Sequence, residues 1–138
     1  MPTSAELLLD TSAAIALVTP TARAHSAVIT RTRGLTLGLA GHAMFETYSV
    51  LTRLPGELRV SAAMAMRIIG MNFPATVHLA SDTATHAVTR LAEAGIAGGA
   101  VYDGMVGLAA ASVDGVLLSC DRRAAPTYAA LGVTFELI

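Results

Sequence analysis

The sequence predicts one three-layer α/β domain over residues 1–138, in which a parallel sheet is covered by helices on both faces. Two observations predict this fold class. Predicted strands alternate with predicted helices along the whole chain, as they do when helices connect parallel strands. The first and fourth predicted strands are continuous apolar runs, which is typical of strands buried on both faces. The length suits one domain, and no repeat or linker divides the chain.

Five short apolar runs are predicted as strands because turn-forming residues lie beside them. They are residues 7–9, 35–39, 76–79, 116–118 and 133–138. The second run follows Gly34, the third follows Pro74, the fourth follows Gly115 and the last follows Gly132. The last four strands therefore each follow a turn signal, and the first strand ends at a turn predicted over residues 10–12.

Seven other segments are predicted as helices, since each has apolar residues at helical spacing or a residue that commonly caps a helix. They are about residues 11–18, 21–33, 40–54, 61–71, 81–94, 103–113 and 125–131. The expected N-caps are Thr11 or Ser12, Ser61, Ser81 and Asp103. Gly or Pro after several of these segments gives the expected helix ends.

The composition predicts a protein that hides most of its surface. Hydrophobic residues make up 54% of the chain and charged residues 14%, against about 25% charged in an average soluble protein. Such a chain packs a dense core or shares apolar surface with partner chains. Asp10, Asp103 and Asp114 interrupt the apolar stretches, so no window approaches the ~18 apolar residues of a membrane span. The single cysteine, Cys120, cannot form an internal disulfide and fits a cytoplasmic location.

The charged residues exclude several classes of protein. All nine basic residues are Arg, which rules out P-loop and Schiff-base sites that need Lys. Response-regulator receivers and haloacid-dehalogenase-like phosphatases also need a Lys near their acids, and the phosphatases need an Asp where this chain has Ser12. The net charge of −1 argues against extensive nonspecific binding of nucleic acid through its phosphates. With only six Phe and Tyr, RNA recognition is expected to depend on shape and a few polar contacts.

Four acids fall at positions where the predicted fold would gather ligands. Asp10 and Asp121 each follow an apolar strand, and ligands bind at the carboxyl ends of the strands in open α/β sheets. Asp103 is expected to begin the helix that leads into the fourth strand. Glu46 lies in mid-helix among apolar neighbours, where it is turned either to solvent or into the site. Each acid alone could also be an ordinary cap, turn or surface residue.

Electrostatics indicates what such a group of acids would bind. Two carboxylates about 6 Å apart repel by roughly 2–3 kcal/mol at an effective dielectric constant near 20, so a cluster needs protons or a cation. Oxygen ligands without His or Cys favour Mg²⁺ or Mn²⁺ over Zn²⁺. An ion of this kind can activate a bound water and stabilise the leaving oxygen of a phosphodiester. The sequence therefore predicts hydrolysis of a phosphate ester.

These residues lie in segments that resemble PIN-domain nucleases, specifically the VapC-type toxins of bacterial toxin–antitoxin pairs. The resemblance runs essentially from end to end. It rests on LLLDTSA around Asp10, FETYSVLTRLP around Glu46, VYDGMVGLA around Asp103 and LLSCDR around Asp121. One departure is Gly104, where an Ala is more usual after the third acid. This change lowers helix propensity but removes no ligand.

The resemblance implies a five-stranded parallel sheet in the order 3-2-1-4-5 and an endoribonuclease dependent on Mg²⁺ or Mn²⁺. It also implies a homodimer and a cognate antitoxin encoded by an adjacent gene. The acids that it identifies as catalytic and metal-binding are Asp10, Glu46, Asp103 and Asp121. Ser119 takes the place of a supporting hydroxyl two residues before the last acid, and Ser12 is a second candidate for that role.

Three arginines are candidates for contact with RNA or antitoxin. Arg122 and Arg123 follow the last acid and could bind RNA phosphates, or they could be solvated turn residues. Arg53 ends the helix that carries Glu46, where it could instead act on the helix dipole. Two other functions remain open from the sequence: a PIN-fold nuclease for housekeeping RNA processing, and a degenerate domain that only binds partners. The four acids argue against the degenerate domain, and an antitoxin gene directly upstream would favour a toxin over a housekeeping nuclease.

Overall fold

Four parallel strands form one sheet within residues 3–138, the part of the chain that the computed structural model describes. They are β1 (Leu7–Leu9), β2 (Leu37–Leu39), β3 (Leu117–Ser119) and β4 (Phe135–Leu137). The order across the sheet is β2-β1-β3-β4. The helices of the same region are α1 (Thr11–Val18), α2 (His25–Thr32), α3 (Ala43–Arg53), α4 (Ala62–Asn72), α5 (Ser81–Glu93), α6 (Ala100–Ala111) and α7 (Ala125–Ala130).

The central strands β1 and β3 set the position of the site. They pair in parallel, with Leu8 opposite Leu117 and Leu9 opposite Leu118. All three residues of each strand are buried, as expected for strands covered on both faces, although β3 begins one residue later than the predicted run and ends with Ser119. Because the two strands are neighbours, Asp10 and Asp121 follow them at the same edge of the sheet. Helices on both faces complete the three-layer α/β fold that the sequence predicted.

The predicted third strand is a single bridge, so the expected count of five strands is wrong within the described residues. Val77 forms an isolated parallel bridge with Ala40 at the outer edge of β2. The amides of Ala75 and Val77 donate to the carbonyls of Leu37 and Leu39, at 3.0 and 2.9 Å. This position agrees with the implied strand order, although the pairing is too short to form a strand.

Two helix caps differ in how well the sequence predicted them. Asp10, rather than Thr11 or Ser12, caps α1, since its side chain accepts a hydrogen bond from the Ala13 amide. Ser61 caps α4 as predicted, with its side chain accepting from the Met64 amide. The first cap prediction failed because three polar residues in succession could each fill this position.

Two further cap predictions are wrong for a common reason. Helix α6 begins at Ala100, so Asp103 lies inside its first turn and is not the N-cap. Helix α5 begins at Ser81 itself, and Ala80 occupies the cap position without a side-chain hydrogen bond. Both helices begin without a polar cap. Because the prediction placed each N-cap at the nearest Ser or Asp, it put the start of each helix too late in the sequence.

The helices in the described part of the chain are all too short or too polar to cross a membrane. The described core consists mainly of Leu, Ala and Val from the central strands and from α1 and α6.

Candidate active site

The four acids singled out in the sequence line one cavity of about 330 Å³. Asp10 follows β1, and Asp121 lies two residues after the end of β3. Glu46 reaches the cavity from α3, and Asp103 reaches it from the first turn of α6. Four separate elements therefore bring the carboxylates together at the carboxyl edge of the central strands.

Asp10 is held by hydrogen bonds to both of its carboxylate oxygens. Its side chain is buried, and Oδ1 accepts from the Ala13 amide at 3.0 Å and from the Ser12 hydroxyl at 2.6 Å. Oδ2 accepts from the Tyr128 hydroxyl at 2.8 Å. Asp10 thus caps α1 and lines the cavity at the same time, so the two interpretations that its position suggested are compatible.

Ser12 and Ser119 connect the two loops that carry Asp10 and Asp121. The Cys120 amide donates to Ser12 Oγ at 2.8 Å, and the Asp121 amide donates to Ser119 Oγ at 3.0 Å. The two hydroxyl oxygens lie 3.4 Å apart. These bonds fix the backbone on both sides of the cavity, a geometry suited to the supporting role that the sequence suggested for both serines.

The pKa of Asp103 is raised from 3.8 to about 6. Burial is the largest cause, and the negative charges of Asp121, Glu46 and Asp10 raise it further, while Arg123 lowers it. The other three carboxylates are therefore near enough to oppose ionisation of Asp103. This is the electrostatic conflict that the sequence predicted for a cluster of four acids without a cation.

Glu46 faces the cavity but is not fully enclosed. Its side chain is 37% exposed, and Oε1 lies 3.4 Å from Nε2 of His42. The imidazole ring of His42 stacks on the ring of Tyr102, with centroids 5.2 Å apart. The sequence left Glu46 between solvent and site, and the structure gives it access to both.

The three candidate arginines differ in their distance from the acids. The Arg123 amide donates to Asp121 Oδ1 at 2.9 Å, and its Nε lies 3.4 Å from the same oxygen. Arg122 and Arg123 are exposed directly beside the last acid. Arg53 is exposed at the end of α3, seven residues and therefore about 10 Å along the helix from Glu46. Arg53 is thus the least suited of the three to touch a substrate held in the cavity.

The cavity fits a hard divalent cation. Its lining offers oxygen ligands from the four carboxylates and from Ser12. Among residues 3–138, no three His, Cys, Asp or Glu side chains lie close enough together to coordinate one ion. A divalent cation held in this cavity would therefore take one or two carboxylates directly and keep several of its waters.

Tyr128 is a site residue that the sequence reasoning missed. Its ring is fully buried on α7, and its hydroxyl donates to Asp10. Burial and the charge of Asp10 raise the pKa of this hydroxyl, so it stays protonated and remains a donor. The available signal was a Tyr on a short apolar helix, because a buried Tyr hydroxyl usually needs a partner.

Comparison with known proteins gives close relatives over nearly the whole chain. The chain is 46% identical over 127 residues to Ribonuclease VapC27 of Mycobacterium tuberculosis, covering 92% of this chain and 93% of the relative. No protein-family model matches the chain.

Two solved structures have the same fold. The first is VapC20 of Mycobacterium tuberculosis, described as a sarcin–ricin loop cleaving toxin. It has a TM-score of 0.68 at 17% identity and covers 93% of this chain and 96% of that one. The second is VapBC2 of Rickettsia felis bound to a fragment of promoter DNA, with a TM-score of 0.67 at 10% identity, covering 96% and 98%.

Proposed function

The chain belongs to the VapC-type PIN-domain ribonucleases, the toxins of bacterial toxin–antitoxin pairs, and we propose that it is an endoribonuclease that hydrolyses RNA phosphodiester bonds at its acidic cavity. The observation that carries the proposal is that four carboxylates from four elements line one cavity beside the central strands. A toxin that cleaves RNA in this way would act in the cytoplasm, where it would inhibit translation and growth.

Within this site, the residues of the chain divide into two roles. Asp10, Glu46, Asp103 and Asp121 supply the negative charge and the oxygen ligands. Ser12, Ser119 and Tyr128 hold the acids or their loops in place through hydrogen bonds. Oriented ligands of this kind can position a phosphodiester for in-line attack by water, in which the bond to the leaving oxygen breaks.

Nucleases of this family generally use a divalent metal ion, and the donor set of this cavity favours Mg²⁺ or Mn²⁺. When bound, such an ion would lower the pKa of a coordinated water and neutralise charge on the phosphate. One or two of the four acids would hold it directly, and the others would face its coordinated waters. The raised pKa of Asp103 supports this assignment: burial raises it most, the other three acids raise it further, and a bound cation would relieve that repulsion.

Cleavage of RNA by the purified protein tests the proposal. We expect cleavage with Mg²⁺ or Mn²⁺ and none in excess EDTA. Asp10→Asn should lower the cleavage rate at least about 100-fold. Loss of a residue that only supports a metal ligand typically lowers activity about 10–100-fold, and loss of a ligand should cost more. Asp114→Asn is the matched control, because Asp114 is exposed and has a positive φ of 52° that Asn tolerates.

Retained cleavage in EDTA, or by a folded Asp10→Asn variant, would contradict the mechanism. The folded state of each variant is checked by circular dichroism and thermal unfolding. Mapping of new RNA 5′ ends after expression in cells, with and without the product of the neighbouring gene, would identify the cleaved RNA and test the toxin role.

The proposed protein partner is a cognate antitoxin encoded by an adjacent gene. An apolar surface groove of about 530 Å³ supports this proposal; it is lined by Met44, Phe45, Tyr48, Ala62, Ala63, Met66 and Ile69, and is called the α3–α4 groove here. A groove of this kind fits the apolar face of a partner helix. The structurally similar VapBC2 of Rickettsia felis, a toxin–antitoxin complex bound to a fragment of promoter DNA, also supports it.

A substitution in the α3–α4 groove tests this partner. Met66 is 67% exposed, so Met66→Glu should weaken capture of the antitoxin while leaving RNA cleavage intact.

A homodimer is also part of the proposal. The chain has a low charged fraction and exposes several large apolar side chains among its described residues, which favours association with a second copy. Sedimentation of the purified protein should give the mass of a dimer. A monomer at micromolar concentration would contradict this part of the proposal without affecting the ribonuclease assignment.

A further inference from the structure

We propose that the rings of Tyr102 and Phe45, linked by His42, form a shelf that binds one unstacked nucleobase of the RNA beside the cleavage site. The inference rests on the proposed ribonuclease function and deepens it, because it assigns a binding subsite for single-stranded or looped RNA. These three residues are called the aromatic shelf below.

The three rings form a connected cluster. The His42 and Tyr102 rings are stacked at 5.2 Å with an interplanar angle of 27°, and the His42 and Phe45 rings are tilted at 6.2 Å. Tyr102 is 53% exposed and Phe45 is 61% exposed, whereas the His42 side chain is 25% exposed. The outer rings therefore have free surface, and His42 supports them from between.

The aromatic shelf contacts one of the four acids, Glu46, and lies next to a second, Asp103, in the sequence. Phe45 directly precedes Glu46 on α3, and Tyr102 directly precedes Asp103 on α6. His42 lies within 3.4 Å of Glu46. A nucleotide whose phosphate lies among the acids would therefore have its own base, or the base next to it, within reach of these rings.

The charges of the site favour a nucleobase over an apolar protein segment. Phe45 also lines the α3–α4 groove, but an apolar segment that extended from this groove over Tyr102 would desolvate Glu46 and Asp103, which is costly for ionised carboxylates. A base stacks through its π-face and leaves the neighbouring acids free to hold a cation. Stacking also needs no cationic side chain, which suits a chain with a net charge of −1.

Two substitutions of Tyr102 test the aromatic shelf. Tyr102→Leu keeps apolar surface but loses the π-face, so KM for a single-stranded RNA should rise about 5- to 100-fold while kcat changes less than about threefold. Tyr102→Phe keeps the ring and should stay within about twofold of the parent. Val88→Ala, at an exposed position on α5, is the surface control.

Base removal from the RNA gives a second arm of the experiment. In a series of substrates, each lacks one base near the cleaved bond. For one of them, the KM of the parent protein should rise by the same factor by which Tyr102→Leu raises the KM for the intact RNA. That substrate should show no further loss with Tyr102→Leu, because the ring and the base would be partners in one contact.

Three results would overturn the inference. The first is an unchanged KM for Tyr102→Leu. The second is that Tyr102→Leu raises the KM of every base-deleted substrate by the same factor as it raises the KM of the intact RNA. The third is conversion of a dimer to a monomer by Tyr102→Leu. The last would mean that a second copy of the chain covers the ring. Failure of the parent protein to cleave any RNA would instead refute the proposed function itself.

Discussion

At the scale of single residues, burial and the neighbouring negative charges raise the pKa of Asp103. Its pKa is about 6 in the folded protein and near 3.8 in the unfolded chain. Between about pH 4 and pH 6 the folded protein therefore keeps a proton that the unfolded chain has lost. Stability of the metal-free protein should fall as the pH rises through this window, and the penalty is complete above it.

Asp103→Asn should remove this pH-dependent penalty. In EDTA at pH 7.5 we expect the variant to melt a few degrees above the parent, whereas at pH 4.5 the difference should be much smaller, because folded Asp103 is then mostly protonated and Asn resembles the protonated acid. Differential scanning calorimetry at both pH values measures the effect, with Asp114→Asn as a control outside the cavity. A lower melting temperature for Asp103→Asn at pH 7.5 would mean that Asp103 stabilises the fold as an anion.

Tyr128 gives a second prediction at this scale. Tyr128→Phe removes the hydroxyl that donates to Asp10 and leaves a buried carboxylate oxygen without that donor. Hydrogen bonds to charged groups contribute about 1.5–3 kcal/mol, so the free energy of unfolding should fall by about that amount. Urea denaturation in EDTA measures it, and Tyr48→Phe, at an exposed Tyr, should have no effect. Equal stability of Tyr128→Phe and the parent would show that the bond is not needed to hold Asp10.

The sequence predicted the four acids better than it predicted their supporting contacts. Asp10 and Asp121 could be predicted because an acid that follows a buried parallel strand lies at the carboxyl edge of the sheet, where ligands bind. The bond from Tyr128 to Asp10 joins residues 118 positions apart, and the stack of His42 on Tyr102 joins two different helices. Such contacts depend on how the helices pack against each other, which cannot be predicted from the spacing of apolar residues along the sequence.

At the scale of elements, the chain between α4 and α5 shows why one predicted strand failed. Residues 76–79 have the apolar character of a strand, yet they contribute one bridge at the edge of β2. The chain passes so close to β2 that a β-carbon on Gly38 would overlap the Ala75 carbonyl. This close approach is a tertiary feature, and the sequence signals it only through a glycine in the middle of an apolar run.

Gly38→Ala should therefore destabilise the edge of the sheet. The new methyl group would meet backbone atoms, which cannot rotate away as a flexible side chain could, so we expect a loss of about 1–3 kcal/mol or more. Urea denaturation measures the loss. Gly70→Ala, in α4 with open space around it, should be neutral or slightly stabilising because Ala favours helix. Unchanged stability of Gly38→Ala would mean that residues 74–77 move away at little cost.

At the scale of the whole molecule, the distribution of charge determines how RNA can be held. The net charge is −1, and four acids face the proposed substrate. Arg122 and Arg123 directly follow one of these acids and are exposed. Arg31 pairs with Glu136 at 2.6 Å instead, and Arg67 lies on α4. Few cations, chiefly Arg122 and Arg123, are therefore expected to bind RNA beside the cleavage site, and the rest of the affinity is expected to come from a bound metal ion and from stacking.

Weak dependence of RNA affinity on salt should follow from this shortage of cations. Each phosphate neutralised by a side chain contributes about −0.7 to the slope of log affinity against log salt for single strands, so two arginines give about −1.4. Fluorescence anisotropy of labelled RNA with the Asp10→Asn variant, at constant Mg²⁺ and between about 50 and 200 mM salt, measures the slope. Arg122→Ala and Arg123→Ala should each reduce its magnitude by about 0.7, whereas Arg67→Ala should not change it. A slope steeper than about −3 would require more than four cationic contacts at about −0.7 each, and RNA would then cover a surface of the molecule well beyond the cavity and the aromatic shelf.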